Sequence, residues 1–265
     1  MNTTNLARKY RPHSLDNLIG QDVLVRNLKN SFEINKFSQC YVMTGIRGTG
    51  KTSSARIIAR SLACKNTTSY EPCGECSSCL AMNEENNLDV IEIDAASHTS
   101  VADAKELISG TMYPPVMSKR KIFIIDECHM LSTSAWNALL KTLEEPPAHV
   151  IFIFCTTESK KVPATIISRS TRFDLRRVDR AELIPHFKKI AEKEGVRIED
   201  GAINVISSAA DGSVRDGISI LDQIICGSIE GELITQEYVR DVLGLNRRMQ
   251  AFGVFGLALS GKTSE

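Results

Sequence analysis

One eight-residue segment, Gly-Ile-Arg-Gly-Thr-Gly-Lys-Thr at positions 45–52, restricts the possible folds of this chain most strongly. It matches the phosphate-binding pattern G-x-x-x-x-G-K-S/T, whose glycines let backbone N–H groups approach phosphate oxygens closely. Such a loop lies between a buried strand and a helix whose N-terminus faces the phosphates. The apolar run at 40–43 and the helical pattern over 52–62 provide both elements. The segment therefore predicts a nucleotide-binding site in an α/β fold.

The residue types within this loop predict individual contacts to the nucleotide. Lys51 would reach the terminal phosphates, and the Thr52 hydroxyl would bind Mg²⁺. The alternative interpretation is a glycine-rich turn ahead of an ordinary helix, and the strand–loop–helix context argues against it. The predicted contacts in the loop are Gly45, Gly48, Thr49, Gly50, Lys51, Thr52 and Ser53.

Strands and helices alternate on both sides of the loop. Apolar segments at 89–93, 122–125 and 150–154 predict further strands, and helical patterns cover 21–32, 101–108 and 135–144. Continuous apolar strands are typical of a parallel sheet that is covered on both faces. Beyond Arg177 the apolar residues recur at helical spacing, which predicts a small helical bundle. We therefore expect an α/β domain with a parallel sheet, followed by a helical lid domain.

An acidic pair, Asp126-Glu127, follows the predicted third strand. Asp126 is placed to hold Mg²⁺ opposite the phosphate loop, and Glu127 to orient or deprotonate an attacking water. Two acids that only cap the next helix are the alternative. His129 extends the pair to a D-E-x-H sequence, and we expect it to be a packed or hydrogen-bonded residue at the start of a helix.

Four further residues are weaker candidates when each is taken alone. A hydroxyl of Thr156 or Thr157, at the end of the fourth strand, could align the water that attacks the γ-phosphate. Arg169, after the last core strand, could act on the ATP of a neighbouring subunit, and Arg215 could reach the phosphates of its own subunit. As isolated residues they would be ordinary strand-end threonines and solvated arginines.

Eight cysteines fall into a cluster and a scattered set. The clustered spacing C-x8-C-x2-C-x2-C suits tetrahedral Zn²⁺ in a closed structural site, with a redox pair, incidental cysteines or an iron–sulfur cluster as alternatives. The clustered residues are Cys64, Cys73, Cys76 and Cys79. We expect the others to be small core residues, namely Cys40, Cys128, Cys155 and Cys226.

Charge and hydropathy exclude several classes of protein. With 32 basic and 32 acidic residues, the chain has no overall charge that would attract nucleic acid. We find neither an apolar run long enough to span a bilayer nor the pattern of a secretory signal at the N-terminus. We therefore expect a cytoplasmic protein, in which clustered thiols bind metal more readily than they form disulfides.

Together these segments resemble the AAA+ ATPases, and more narrowly the gamma/tau family of bacterial DNA polymerase III clamp-loader subunits. The resemblance implies an ATPase domain at 1–178 with a four-cysteine zinc module at 64–79, a helical lid at 179–243, and the start of a helical collar at 244–265. It extends from Leu6 to about Gly244. It is carried by the phosphate loop, the four clustered cysteines and the segments 6–12, 92–97, 138–147, 167–169 and 212–216.

The resemblance also implies roles for individual residues. Thr157 would be the first sensor and Arg215 the second, and Arg169 would act in trans on the ATP of the next subunit. The adenine would be bordered by Tyr10, Arg11, Pro12 and Ile19.

The implied function is ATP-driven loading of the sliding clamp onto primer–template DNA. The implied cofactors are ATP, Mg²⁺ and Zn²⁺. The implied partners are the other clamp-loader subunits of a hetero-pentamer, the sliding clamp, primer–template DNA and the polymerase holoenzyme. The loop at 112–116 lies where such proteins touch the clamp.

Two departures from the family pattern bear on the implied function. His98 and Ser100 stand where members often carry a basic residue near DNA phosphates, which weakens the expectation of DNA-triggered hydrolysis. Family members also continue into a full collar, so we expect this chain alone to be monomeric. Two other functions stay open: a nucleotide-binding scaffold subunit without hydrolysis, and an AAA+ motor for DNA branch migration.

Overall fold

The computed structural model describes residues 5–245 apart from Thr68, Glu85 and Glu230. These residues form two compact units, one of residues 11–177 and one that combines residues 5–10 with 178–245. None of the described helices has both the length and the apolar character needed to cross a membrane.

The four strands and four helices predicted from the hydrophobic pattern up to residue 154 are present, together with shorter elements that the pattern did not predict. The strands are β1 (Cys40–Thr44), β2 (Val90–Asp94), β3 (Lys121–Asp126), β4 (Val150–Thr156), β5 (Thr171–Asp174), β6 (Arg197–Ile198) and β7 (Leu233–Ile234). The helices are α1 (Leu6–Lys9), α2 (Asp22–Glu33), α3 (Lys51–Ala63), α4 (Ser77–Asn83), α5 (Val101–Thr111), α6 (Thr133–Glu144), α7 (Ala164–Ile167), α8 (Arg180–Lys193), α9 (Asp200–Ala209), α10 (Val214–Gly227) and α11 (Gln236–Val242).

The first unit is built on a five-stranded sheet in the order β2-β3-β4-β1-β5, with every pair parallel. Successive residues of a strand point to opposite faces. In β3, Ile122 and Ile124 join a core with α2 and α3, whereas Phe123 and Ile125 pack with α5 and α6. Helices thus cover both faces of the sheet, and the prediction of a doubly covered parallel α/β domain is confirmed.

The edge strand β5 was not predicted. Only Phe173 of its four residues is buried, so its sequence lacks the continuous apolar run that marks the central strands. It pairs with β1 from Tyr41↔Thr171 to Thr44↔Asp174. The prediction that Arg169 follows the last core strand was therefore wrong, because Arg169 precedes β5.

The second unit contains the predicted helical bundle. Leu183 and Phe187 of α8, Ile206 of α9 and Leu221 of α10 are fully buried. Three features were not predicted: the helix α11, the two-residue parallel pair β6–β7, and the place of residues 5–10, where the Leu6 N–H donates to Asp222 Oδ2 at 3.2 Å. The predicted start of a collar lies almost wholly outside the described residues, which end at position 245.

Candidate nucleotide and metal sites

The phosphate loop connects β1 to α3 through glycines with positive φ. The φ angles of Gly45, Gly48 and Gly50 are 148°, 78° and 96°, a backbone region that residues with a Cβ rarely adopt. A Cβ on Gly45 would lie only 2.6 Å from the Leu175 carbonyl oxygen. Among the described residues no side chain caps α3, so the first-turn N–H groups remain directed at the loop. The local backbone therefore has the form of an anion cradle.

The Lys51 side chain is folded onto this loop. Its ammonium donates to the carbonyl oxygens of Gly45 at 3.0 Å and Ile46 at 2.8 Å, and the residue is only 6% exposed. Burial lowers the pKa of Lys51, while the neighbouring carboxylates of Glu127 and Asp126 oppose this shift. The positive charge is thus held at the mouth of the loop by backbone carbonyl groups.

Thr52 and Asp126 meet although they are distant in sequence. The Thr52 hydroxyl donates to Asp126 Oδ2 at 2.6 Å, and the Glu127 N–H donates to Asp126 Oδ1 at 3.0 Å. Asp126 ends β3, whose carboxyl end lies on the same edge of the sheet as that of β1. A hydroxyl and a carboxylate side by side are the hard oxygen ligands that Mg²⁺ prefers, so these residues fit the ion.

Glu127 has an unusual backbone and an unsatisfied side chain. Its φ of 45° is in the left-handed region. Its Oε2 is buried and, within the part of the chain that the structure describes, makes no hydrogen bond. The nearest basic atom is Nδ1 of His129 at 3.4 Å, a contact longer than a well-formed hydrogen bond.

The two threonines at the end of β4 have different surroundings. Thr156 is buried, and its hydroxyl oxygen accepts the Glu158 N–H at 2.9 Å and lies 3.1 Å from His129 Nδ1. Thr157, the predicted sensor, is the first residue after the strand and is exposed. His129 lies in the 3₁₀ turn Cys128–Met130, so the expected hydrogen-bonded residue is present. The link from His129 to Glu127 was missed, and the D-E-x-H spacing was the available signal.

The two candidate arginines lie in different units. Arg169 follows α7 and is half exposed, with Nη2 3.4 Å from Glu144 Oε1 and Nη1 donating to the Thr165 carbonyl at 3.3 Å. Arg215 is in the first turn of α10, which begins at a cap where the Ser213 hydroxyl oxygen accepts the Asp216 N–H.

The predicted adenine-binding residues are also divided between the units. Arg11, Pro12 and Ile19 are half-buried in the first unit. Tyr10 belongs to the second, where its hydroxyl donates a short hydrogen bond to Glu194. Burial together with the Glu194 carboxylate raises the pKa of Tyr10 to about 12.

The four clustered cysteines converge on one point. Their sulfur atoms all lie within 4.8 Å of one another, with Cys64–Cys76 at 4.0 Å and Cys73–Cys79 at 3.9 Å. Four sulfurs at the usual Zn–S distance of about 2.3 Å would be about 3.8 Å apart, so the cluster fits a tetrahedral ion. The backbone N–H groups of Cys73 and Cys76 donate to Cys64 Sγ and Cys73 Sγ at 3.4 Å.

The thiols of this cluster differ in acidity. Burial raises the pKa of Cys79 to about 12. Burial alone would also raise the pKa of Cys76, but hydrogen bonds from the Cys79 and Lys65 backbones lower it to about 6. Of these two thiols, Cys76 is therefore the better suited to be a thiolate near neutral pH.

The scattered cysteines follow the prediction with one exception. Cys40, Cys128 and Cys155 are buried, as expected for small core residues. The prediction was wrong for Cys226, which is exposed. It follows the buried Ile224 by two positions on α10, and two positions turn a helix to its opposite face.

Comparison with known proteins identifies the family. Residues 20–179 match the family described as "DNA polymerase III, delta subunit", and residues 182–228 match "DNA polymerase III clamp loader subunit, ATPase lid domain". The chain is 44% identical over 232 residues to DNA polymerase III subunit tau of Bacillus subtilis, covering 88% of this chain and 41% of that protein. It is 42% identical over 245 residues to DNA polymerase III subunit gamma of Buchnera aphidicola, covering 92% of this chain and 66% of that protein. The chain thus spans about two fifths of the tau relative.

Solved structures show the same fold at low sequence identity. The RuvB Holliday junction branch migration motor of Thermotoga maritima matches with a TM-score of 0.64 and 19% identity, over 89% of this chain and 72% of that one. This likeness confirms the AAA+ fold. The matched families and relatives show that the chain belongs to the gamma/tau family of bacterial DNA polymerase III clamp-loader subunits.

Proposed function

We propose that this chain is an ATP-hydrolysing motor subunit of a bacterial clamp loader. The observation that carries the proposal is the convergence of Lys51, Thr52, Asp126 and Glu127 at one edge of the sheet: Asp126 is bonded to Thr52 and to the Glu127 N–H, and both carboxylates act on the Lys51 ammonium. Proteins that only bind nucleotide need the loop and the lysine. A carboxylate next to the metal-binding aspartate supplies in addition a group that can act on water.

The residues of the loop would bind and orient the triphosphate. The N–H groups at the start of α3 and the Lys51 ammonium would neutralise its charge, with Lys51 exchanging the Gly45 and Ile46 carbonyls for phosphate oxygens. Thr52 and Asp126 would hold Mg²⁺, which would stabilise charge that develops on the phosphates. Glu127 would accept a proton from, or orient, the water that attacks the γ-phosphate.

Other site residues are proposed from the family resemblance. Arg169 would leave Glu144 and act in trans on a neighbouring subunit's ATP, because an exposed ion pair is weak and easily exchanged. Thr157 and Arg215 would sense the γ-phosphate. Arg11, Pro12 and Ile19, with Tyr10, would border the adenine.

We also propose the family's domains, partners and compartment for this protein. Residues 1–178 would be the ATPase domain, 179–243 the lid and 244–265 the start of the collar. The protein would act in the cytoplasm in a hetero-pentamer with other loader subunits, bind primer–template DNA, and work within the polymerase holoenzyme. The loop at 112–116 would contact the sliding clamp, and it exposes Met112, Tyr113 and Val116 to at least 68%.

The four-cysteine module is proposed to hold structural zinc. All four ligands are cysteines, which matches a closed structural site. A [4Fe–4S] cluster also takes four cysteines and stays a competing interpretation. Metal analysis of freshly reduced protein separates the two.

ATP hydrolysis measured with partner subunits, clamp and primed DNA tests the main proposal. We expect Lys51→Ala to abolish nucleotide binding and Glu127→Gln to retain binding but lose hydrolysis. Lys105→Ala, an exposed lysine on α5, is the matched control and should keep the full rate. An unchanged rate in Lys51→Ala would show that the assigned site is wrong.

Two competing functions predict different results. A hydrolysis-silent scaffold would bind ATP tightly without releasing phosphate, even in the complete assembly. A branch-migration motor would move four-way DNA junctions. The RuvB likeness bears on the fold alone, and the tau and gamma relatives favour the loader.

A further inference from the structure

His129 connects the acidic pair to the end of β4. Its side chain is only 9% exposed although it lies in a turn after a strand. Nδ1 lies 3.1 Å from the Thr156 hydroxyl oxygen and 3.4 Å from Glu127 Oε2, and Nε2 lies 3.6 Å from Glu158 Oε1. The imidazole thus contacts Glu127 and also Thr156 and Glu158, the two residues on either side of the predicted sensor Thr157.

The identity of the atoms that contact Nδ1 favours a proton on this nitrogen. The Glu127 carboxylate can only accept a hydrogen bond, and the Thr156 oxygen, which already accepts from the Glu158 N–H, has a second lone pair. A proton on Nδ1 suits both neighbours. An unprotonated Nδ1 would direct its lone pair at the carboxylate.

Glu127 needs an external constraint on its side chain. Its backbone is in the left-handed region, and its buried Oε2 makes no hydrogen bond within the described residues. A buried carboxylate oxygen without a partner is costly, so a small movement toward Nδ1–H would be favourable. Thr156, which ends a central and fully buried strand, provides a rigid reference for the imidazole.

We propose that His129 is a positioning residue that holds the Glu127 carboxylate at a set distance from the end of β4. This inference rests on the proposed ATPase function, since it assigns the alignment of the group that acts on water. His129 would touch neither ATP nor the water. Its effect would appear in the rate of hydrolysis and not in the affinity for nucleotide.

Two amide variants test this role because they mimic different ring nitrogens. The amide nitrogen of His129→Asn can take the place of Nδ1, whereas that of His129→Gln reaches the position of Nε2. We expect His129→Ala and His129→Gln to lower kcat by about tenfold to a hundredfold, the loss typical of a misplaced group. We expect His129→Asn to retain kcat within about threefold, and all three variants to keep the nucleotide Kd within about twofold.

The outcomes separate this inference from the proposed function. Full activity in His129→Ala, rescue by Gln instead of Asn, or a parallel loss of nucleotide affinity would overturn the inference. Hydrolysis that persists in both Lys51→Ala and Glu127→Gln would overturn the proposed ATPase site instead.

A measurement that does not depend on ATP hydrolysis tests the contacts of His129 whether or not the proposed ATPase function holds. Nitrogen NMR of the imidazole, assigned by comparison with His129→Asn, should show a protonated Nδ1. Its resonance should shift in Glu127→Gln and in Thr156→Val, whereas Glu158→Gln should affect mainly Nε2. An unprotonated Nδ1, or one unaffected by both the Glu127 and Thr156 variants, would overturn the inference.

Discussion

The Thr52 hydroxyl donates a 2.6 Å hydrogen bond to Oδ2 of Asp126, 74 residues further along the chain. The contact joins the first turn of α3 to the end of β3. The fold therefore places the two proposed Mg²⁺ ligands side by side.

Replacing the Asp126 carboxylate should remove the dependence of nucleotide binding on Mg²⁺. Asp126→Asn keeps the size of the side chain but loses the charge, so we expect hydrolysis to fall by about a hundredfold or more. Calorimetry with and without Mg²⁺ should show equal nucleotide affinities in this variant. Asp94→Asn is the control, because Asp94 occupies the neighbouring register position at the end of β2. A comparable loss in Asp94→Asn would contradict the assignment.

Asp89 should be a major source of stability in the first unit. Its buried carboxylate accepts N–H groups from Val116, Met117 and Ser118 at 2.7–2.8 Å. Asp89→Asn would turn an amide N–H toward some of these donors. We expect a loss of roughly 3 kcal/mol in the free energy of unfolding, measured by urea denaturation. Asp22→Asn, at an 88% exposed side chain, should change it by less than about 1 kcal/mol.

Metal bound by the four-cysteine module should order the segment that ends the 112–116 loop. Ser77 donates to the Met117 carbonyl, and the hydroxyls of Ser78 and Ser118 lie 2.9 Å apart, so α4 is connected directly to this segment. We expect close to one zinc per chain, and faster amide exchange at 116–118 after chelation under reducing conditions. Cys64→Ser should reproduce the effect without chelator.

Iron in the purified protein would contradict the zinc assignment. Exchange at 116–118 that is unchanged by metal removal would contradict the connection between the module and this segment. Cys226→Ser, at an exposed thiol outside the cluster, should alter neither metal content nor exchange.

Tyr10 should stay protonated at pH 11, where an ordinary tyrosine is mostly ionised. Its pKa of about 12 is raised by burial and by the Glu194 carboxylate. A folded-state pKa above the unfolded value favours the fold while the hydroxyl is protonated. This contribution is complete below about pH 10 and is lost as the pH rises toward 12.

Ultraviolet titration of the wild type against Tyr10→Phe isolates this residue. Glu194→Gln should lower the pKa of Tyr10, whereas Glu192→Gln, at an exposed glutamate in the last turn of α8 just before Glu194, should not. A Tyr10 that ionises near pH 10 in the wild type would contradict the contact with Glu194.

Much of the fold and part of the site were predictable because their signals are local. The loop at 45–52 and the apolar strands beside it are contiguous patterns, and the four-cysteine cluster has a spacing that few other functions require. β5 was not predicted because an edge strand with one buried residue lacks a contiguous apolar pattern. The exposure of Cys226 was not predicted because it depends on which face of α10 the residue occupies.

By itself, the sequence determined which chemical groups are present and which of them are neighbours along the chain: the phosphate cradle, the acidic pair and the four thiols. Only the tertiary structure decided which distant groups meet. The strand order puts Asp126 beside Thr52, the end of β4 brings Thr156 to His129, and residues 5–10 pack with the second unit. The physical reason is that chain order sets local backbone preferences, whereas these contacts follow from burying the faces of the sheet in the first unit and the apolar sides of the helices in the second.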